Sequence, residues 1–204
     1  MQWRPWYSLL VVLGIIAIVV LWFFGTYNSL VTLDQGVQAQ WGQVQTAYQR
    51  RADLIPNLVA TVRGAANFEK STYIAVAQAR AQVGQISPQV IQNALRDPQA
   101  FAQYQRAQDT LGTALTHLLA VTENYPQLQA NQDFLTLQAQ IEGTENRIAV
   151  ERRRYNEMAQ AFNTRRDTAP TVFIAGLFGS RFAEKPYFQA SQAAQSAPAV
   201  NFSP

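Results

Sequence analysis

SLLVVLGIIAIVVLWFFGTYNSLVTLDQGVQAQWGQVQTAY, residues 8–48, sets two patterns end to end. Residues 8–24 carry no charge and are apolar almost throughout. From Leu30 the apolar positions thin to Leu30, Leu33, Val37, Trp41, Val44 and Tyr48. That three-four rhythm puts them on one face of a helix. The second pattern starts almost directly after the first, so the stretch reads as one long rod without a flexible linker.

The uncharged span is bracketed by Arg4 and Asp34. Counted over residues 5–26, a helix rising about 1.5 Å per residue covers roughly 33 Å, enough for a bilayer core. Trp3, Trp6 and Tyr7 at one end, and Trp22, Phe23, Phe24 and Tyr27 at the other, sit where interfacial aromatic belts occur. The residues after the apolar run are bulky, with no small-x-small cleavage pattern near Gly25, which favours a retained anchor over a cleaved signal peptide. Arg4 and the amino terminus are the nearby positive charges, and no Lys or Arg follows until Arg50. The positive-inside rule then places the N-terminus in the cytoplasm and the following domain outside. Membrane lipid is thus the first expected partner.

Beyond Tyr48 the stripe continues through Ile55, Val59, Val62 and Ala66, interrupted by Pro56. A proline inside a helix removes a hydrogen bond, but no polar loop surrounds this one, so it reads as a kink and not a reversal. Gly64 is a second weak point, and the first clear turn follows Val83, at residues 84–88. There Ser87-Pro88 is a helix-start signal, repeated at Asp97-Pro98. The next helix carries Phe101, Tyr104, Gln108, Leu111, Leu115, Leu118 and Thr122 on one face. The last long helix begins near Asn131, and its Phe134, Ile141, Ile148, Tyr155 and Phe162 repeat every seven residues, as in a coiled coil. The prediction is an all-α protein: a transmembrane anchor (1–26), an antiparallel up-down bundle of about four long helices with the first kinked near Pro56 (27–188), and a Gln/Ala/Ser/Pro-rich tail (189–204) that is loosely ordered. Thr171–Phe178 is apolar enough to dock on the bundle, and Lys185-Pro186-Tyr187-Phe188 reads as a turn with two aromatics.

Charged residues make up 14% of the chain and apolar residues 48%, which suits a folded domain with polar but uncharged helix faces. Most of the net charge of +3 gathers at Arg147, Arg152, Arg153, Arg154, Arg165 and Arg166, against Glu151 and Glu157. The plain reading is a solvated helix face with local ion pairs. The sharper one is contact of Arg153, Arg154, Arg165 and Arg166 with anionic headgroups or an acidic partner. No nucleic-acid motif or aromatic platform accompanies them. The chain has no cysteine, which excludes a disulfide framework, a thiolate nucleophile, a Cys-based zinc site and a lipid-modified Cys.

Three stretches together resemble the LemA family of bacterial membrane proteins. They are Tyr27-Asn28-Ser29-Leu30-Val31 with Leu33-Asp34; Tyr48-Gln49-Arg50-Arg51-Ala52-Asp53-Leu54-Ile55-Pro56-Asn57-Leu58-Val59; and Thr144-Glu145-Asn146-Arg147-Ile148 with Arg153-Arg154-Tyr155-Asn156, followed by Lys185-Pro186-Tyr187-Phe188. The resemblance implies an N-terminal anchor in the bacterial inner membrane, a four-helix bundle, and envelope-related, non-enzymatic roles, sometimes alongside a membrane zinc metalloprotease. Two departures stand out: no lipoprotein Cys precedes Tyr27, and Ala66-Asn67-Phe68-Glu69 lacks the His that relatives often carry before the Glu.

For chemistry there is little material. Glu142 and Glu145 lie one turn apart, but no His follows at the spacing of a bundle metal site. The sole His, His117, stands beside the stripe in no ligand motif, and phosphate loops, nucleophile elbows and zincin motifs are absent. No catalytic residue, metal or cofactor is expected. The informative polar residues lie on apolar faces. Arg51 or Ala52 must fill the stripe between Tyr48 and Ile55, with Asp53 and Asn57 close by, while Glu145 and Arg152 flank the seam of the last helix. An inter-helix polar layer with Arg51 and Asp53 facing Glu145 and Arg152 would fix the register; solvated i, i+4 pairs are the plainer alternative. The expected function is a non-enzymatic membrane-anchored scaffold that forms homo-oligomers. The alternatives are an adaptor presenting clients to a membrane protease, and, third, an enzyme.

Overall fold

The structure is a computed structural model that describes residues 5–65 and 68–190. Trp3, Arg4, the side chain of Tyr7, Ala66 and residues 191–204 lie outside the described residues. Among the described residues seven α-helices follow in order: α1 (Pro5–Arg63), α2 (Lys70–Gly84), α3 (Pro88–Asn93), α4 (Pro98–Thr122), α5 (Pro126–Gln129), α6 (Gln132–Asp167) and α7 (Thr171–Phe178). A 3-10 turn, Gly179–Phe182, follows α7, and residues 183–190 are without helix. Among the described residues there is no strand.

α1 is a single helix from the apolar stretch into the core. Its side chains at residues 9–21 are exposed, Leu21 at 73%, and it is long and apolar enough to cross a membrane, as a membrane anchor would be. Besides Ala47, the buried positions from Leu30 to the end of α1 are Leu30, Asp34, Val37, Trp41, Val44, Tyr48, Arg51, Ile55, Leu58 and Val62. These alternate in steps of four and three, a heptad seam whose two charged members are Asp34 and Arg51. α4 buries the face predicted for it, and α6 buries Phe134, Ile141, Ile148, Tyr155 and Phe162 along its seven-residue repeat.

α1 continues unbroken through Pro56. The proline is exposed, and it has no N–H to offer the carbonyl of Ala52 one turn back. That carbonyl instead accepts a hydrogen bond from Arg80 Nε of α2 at 3.1 Å. The first reversal comes before the turn expected at residues 84–88. α1 stops at Arg63, the Gly64 N–H is shared between the carbonyls of Ala60 (3.3 Å) and Thr61 (3.2 Å), and α2 returns antiparallel. The reason is a helix end at Gly64 followed by burial of Phe68, which packs against Tyr125 with ring centres 4.8 Å apart and seals the top of the bundle.

Ser87 caps α3, Asp97 caps α4 and Asn131 caps α6, each side-chain oxygen accepting a backbone N–H of the first turn. The long helices α1, α2, α4 and α6 run up, down, up and down. α1 and α6 extend beyond the start of α4 toward the apolar end of α1. There α7 and residues 183–190 fill the space that a full-length α2 and α4 would occupy. The Lys185-Pro186-Tyr187-Phe188 segment is accordingly an extended strap against α6, with Lys185 and Phe188 buried, and not a turn.

Candidate functional site

The buried side chains form two clusters. One gathers Leu30, Val37, Trp41, Tyr48, Phe101 and Tyr155 toward the anchor end; the other gathers Ile55, Leu58, Leu111, Leu115, Phe134 and Ile141 toward the top. Arg51 lies between them, 2% exposed, at the seam position between Tyr48 and Ile55. Its Nη2 donates to the Gln108 carbonyl (2.9 Å) and to Gln108 Oε1 (2.6 Å), and its Nη1 donates to Glu145 Oε1 at 3.0 Å. The guanidinium also lies 5.1 Å from the centre of the Tyr48 ring. A Cβ at Gly112 would stand 3.4 Å from Nη1, so the glycine leaves the space that the guanidinium occupies. Three helices therefore meet at one polar waist: Arg51 from α1, Gln108 from α4 and Glu145 from α6.

The other expected members of that layer stand elsewhere. Asp53 is exposed and accepts from Gln49 Nε2 at 2.7 Å, one turn back. Asn57 is exposed, and its carbonyl accepts from the Thr61 hydroxyl. Both follow the seam residue Arg51 by two and six positions, an offset that turns them to solvent. Arg152 pairs with Asp109 of α4 at 2.9 Å and lies 4.6 Å from the centre of the Phe188 ring. Of the outer arginines, Arg153 is exposed at the edge of a groove between α4 and α6, Arg154 reaches Glu151 at 3.4 Å, and Arg165 is exposed. Arg166 donates from Nε to the Phe182 carbonyl at 2.7 Å and contacts Asp167. Trp6 and Trp22 are exposed, whereas Tyr27 is half-buried against Phe178 and Phe182.

The strap is held by residues that helical periodicity alone does not single out. Asn163 donates to the Lys185 carbonyl (2.9 Å) and accepts from the Lys185 N–H (2.8 Å). Asn156 does the same for Phe188, at 3.0 and 2.9 Å. Each carboxamide thus satisfies both backbone groups of one strap residue. The register works because three extended residues at about 3.3 Å each match seven helical residues at about 1.5 Å each, roughly 10 Å in both cases. Between these clamps Tyr155 donates its hydroxyl to the Pro186 carbonyl at 3.0 Å. Beyond them Arg152 Nη2 and Gln105 Nε2 both donate to the Gln189 carbonyl. Phe188 inserts among Trp41, Phe101 and Tyr155, with ring centres 4.7–5.9 Å apart. Lys185, 1% exposed, pairs with Asp34 at 2.6 Å and lies 4.8 Å from the centre of the Phe162 ring. One signal for the clamps was available: Asn156 and Asn163 each follow a seam residue, Tyr155 and Phe162, seven apart.

An open groove of about 920 Å³ runs between α4 and α6 from the end of the strap to the polar waist. Gly112, Thr113 and Ala149 leave it wide, and His117, Glu145 and Arg153 give it polar edges. Two residues that hold the strap backbone, Arg152 and Asn156, line it as well. In the core, burial raises the pKa of the phenols. It raises the Tyr104 hydroxyl to about 12 and pushes those of Tyr48 and Tyr155 higher still. On the opposite side of α6, Glu151 is buried and accepts from Gln40 Nε2 (2.7 Å) and Arg147 Nε (2.6 Å). The Gln40 hydrogen bond, with the charges of Arg147 and Arg154, holds its carboxyl below the ordinary value near 4.5. Among the described residues no three His, Asp or Glu side chains come together as a metal site would require.

A family model described as the LemA family matches residues 40–202. The magnetosome protein MamQ 2 of Paramagnetospirillum magneticum is 28% identical over 177 residues, covering 80% of this chain and 64% of that one. MamQ of Magnetospirillum gryphiswaldense is 26% identical, covering 78% and 65%. Protein LemA of Metamycoplasma hominis is 25% identical, covering 75% and 65%. The matched part is thus a little under two thirds of these relatives' own lengths. With the family model spanning the strap, the waist and all of the bundle above Ala39, this chain belongs to the LemA family.

Proposed function

We propose that the protein is a non-enzymatic membrane-anchored scaffold, whose bundles associate laterally and organise components of the membrane or cell envelope. The observation that carries this reading is α1 itself. One uninterrupted helix joins the apolar stretch to the heptad seam of the core, so the bundle stands in a fixed pose relative to the bilayer. A fixed pose presents the same face to every neighbour, as lateral assembly requires, whereas a flexible linker would average it out. The low charge of the chain, 14% of residues, lowers the repulsion between packed copies. The magnetosome names of two relatives fit a role in a membrane-bounded assembly. The mass of the full-length protein, gently extracted and measured by native mass spectrometry, tests the scaffold. A discrete homo-oligomer supports it, and a monomer counts against it.

The α4–α6 groove favours a second reading, an adaptor that holds an extended segment of a client for a membrane protease. Crosslinking from the exposed groove residue Arg153 in native membranes separates the two. Recovery of a stoichiometric client or protease favours the adaptor, and recovery of this chain alone favours the scaffold.

A further inference from the structure

α7, TVFIAGLF, is apolar all round. A helix of that composition belongs in a core or in lipid. Only one side of it is in the core: Thr171, Ile174 and Ala175 are buried against the bundle. On the other side Phe173 is 75% and Leu177 73% exposed, with Val172 beside them at 40%. Two large side chains this open, on a helix without a charge, form an apolar patch of the kind that marks an interaction surface.

Its position identifies the partner. Phe178, at the end of α7, lies 6.5 Å from the Phe23 ring and 5.0 Å from the Tyr27 ring, measured between ring centres. Phe23 and Tyr27 are the last aromatics of the apolar stretch of α1, next to the exposed Phe24 and Leu21. The open face of α7 therefore continues the apolar surface of the anchor at the level where that surface ends. Arg165 at the end of α6 and Arg181 just after α7, both exposed, supply cationic groups at the same level, and Arg181 lies 5.6 Å from the centre of the Tyr27 ring. Apolar side chains flanked by arginines at the end of a spanning segment match an anionic bilayer interface.

We propose that α7 is a second membrane contact: its Phe173 and Leu177 insert into the bilayer interface beside the anchor, with Arg165 and Arg181 at the headgroups. The bundle is then held at two points, which fixes its tilt as well as its height. The inference rests on the reading of residues 9–24 as a membrane anchor.

Because the chain has no cysteine, single labels are unambiguous. Full-length F173C and L177C would carry a nitroxide in dilute phosphatidylcholine–phosphatidylglycerol vesicles, with L13C as the anchor control and A139C on an exposed part of α6 as the aqueous control. Collision with oxygen and with a water-soluble nickel chelate would be measured at each site. The expected result is an oxygen-to-nickel accessibility ratio at 173 and 177 several-fold above that at 139, and below that at 13. Ratios equal to the aqueous control, with Leu13 in lipid, would overturn the proposal while leaving the anchor standing. Protection from both agents would overturn it in favour of a protein partner, such as a second copy. An aqueous L13C would remove the anchor reading and this inference with it.

Discussion

Arg51 and Lys185 are two buried cations with different dependencies. Arg51 is shared by Gln108 and Glu145, and the Glu145 side chain is 38% exposed, so solvent can take over that carboxylate. Replacing Arg51 with Ala should cost about 3 kcal/mol, through loss of the buried network at the waist. Glu145→Gln should cost only about 1 kcal/mol, since Arg51 keeps both Gln108 contacts. Urea unfolding of the detergent-solubilised chain measures both. Lys185→Met leaves the buried Asp34 carboxylate without a cation, held only by Gln38, and should destabilise by roughly 3 kcal/mol, and adding Asp34→Leu should restore most of it. A double mutant no better than Lys185→Met would show that the ion pair itself, and not the stranded charge, holds the strap. Glu151 contributes to the acid limb of stability. Its folded pKa is lowered, so its contribution is complete above the unfolded value near 4.5 and disappears as pH falls through the folded value. Glu151→Gln should therefore flatten the fall of the urea midpoint between about pH 5 and pH 3. The raised Tyr48, Tyr104 and Tyr155 act at the other end, withdrawing stability as pH rises past about 10.

At the scale of elements, α2 and the strap show how one segment completes another. Pro56 opens the Ala52 carbonyl, and Arg80 of α2 closes it. In Pro56→Ala the new N–H can serve that carbonyl, so Arg80→Ala should cost about 1 kcal/mol in the native background and close to nothing in the Pro56→Ala background. Equal losses in both backgrounds would mean that Arg80 acts through its other packing. The strap completes the lower bundle through Phe188, which closes the aromatic cluster around Trp41. Phe188→Ala should cost about 3–4 kcal/mol, and water reaching Trp41 should red-shift the tryptophan emission.

At the scale of the whole molecule, the scaffold reading depends on mechanical continuity between anchor and bundle. Four Gly/Ser residues inserted between Asn28 and Ser29 would loosen the contacts of Tyr27 with Phe178 and Phe182 but leave the heptad seam from Leu30 onward intact. Circular dichroism should then report an unchanged bundle, while the extracted mass should drop from the homo-oligomer toward the monomer. An unchanged oligomer mass would mean that assembly needs only the bundle faces or only the anchor.

The helices, their buried faces and the uncharged run at the start were legible in the sequence because each depends on local periodicity. Leu30 to Val62, Phe101 to Thr122 and Phe134 to Phe162 repeat with the turn of a helix whatever their partners are. Arg51 was legible as a charge on an apolar stripe, and Glu145 as a residue flanking the seam. Tertiary structure decided which charges meet: Arg51 turned to Gln108 and Glu145, Arg152 to Asp109, and Asp53 to its own helix. It also decided that the chain reverses at Gly64, that residues 185–188 run extended under two asparagine clamps, and that α7 leaves Phe173 and Leu177 open beside the anchor. Periodicity records which face of an element is buried. The partner on that face lies far away in the chain, brought there by packing between elements whose spacing no local pattern encodes.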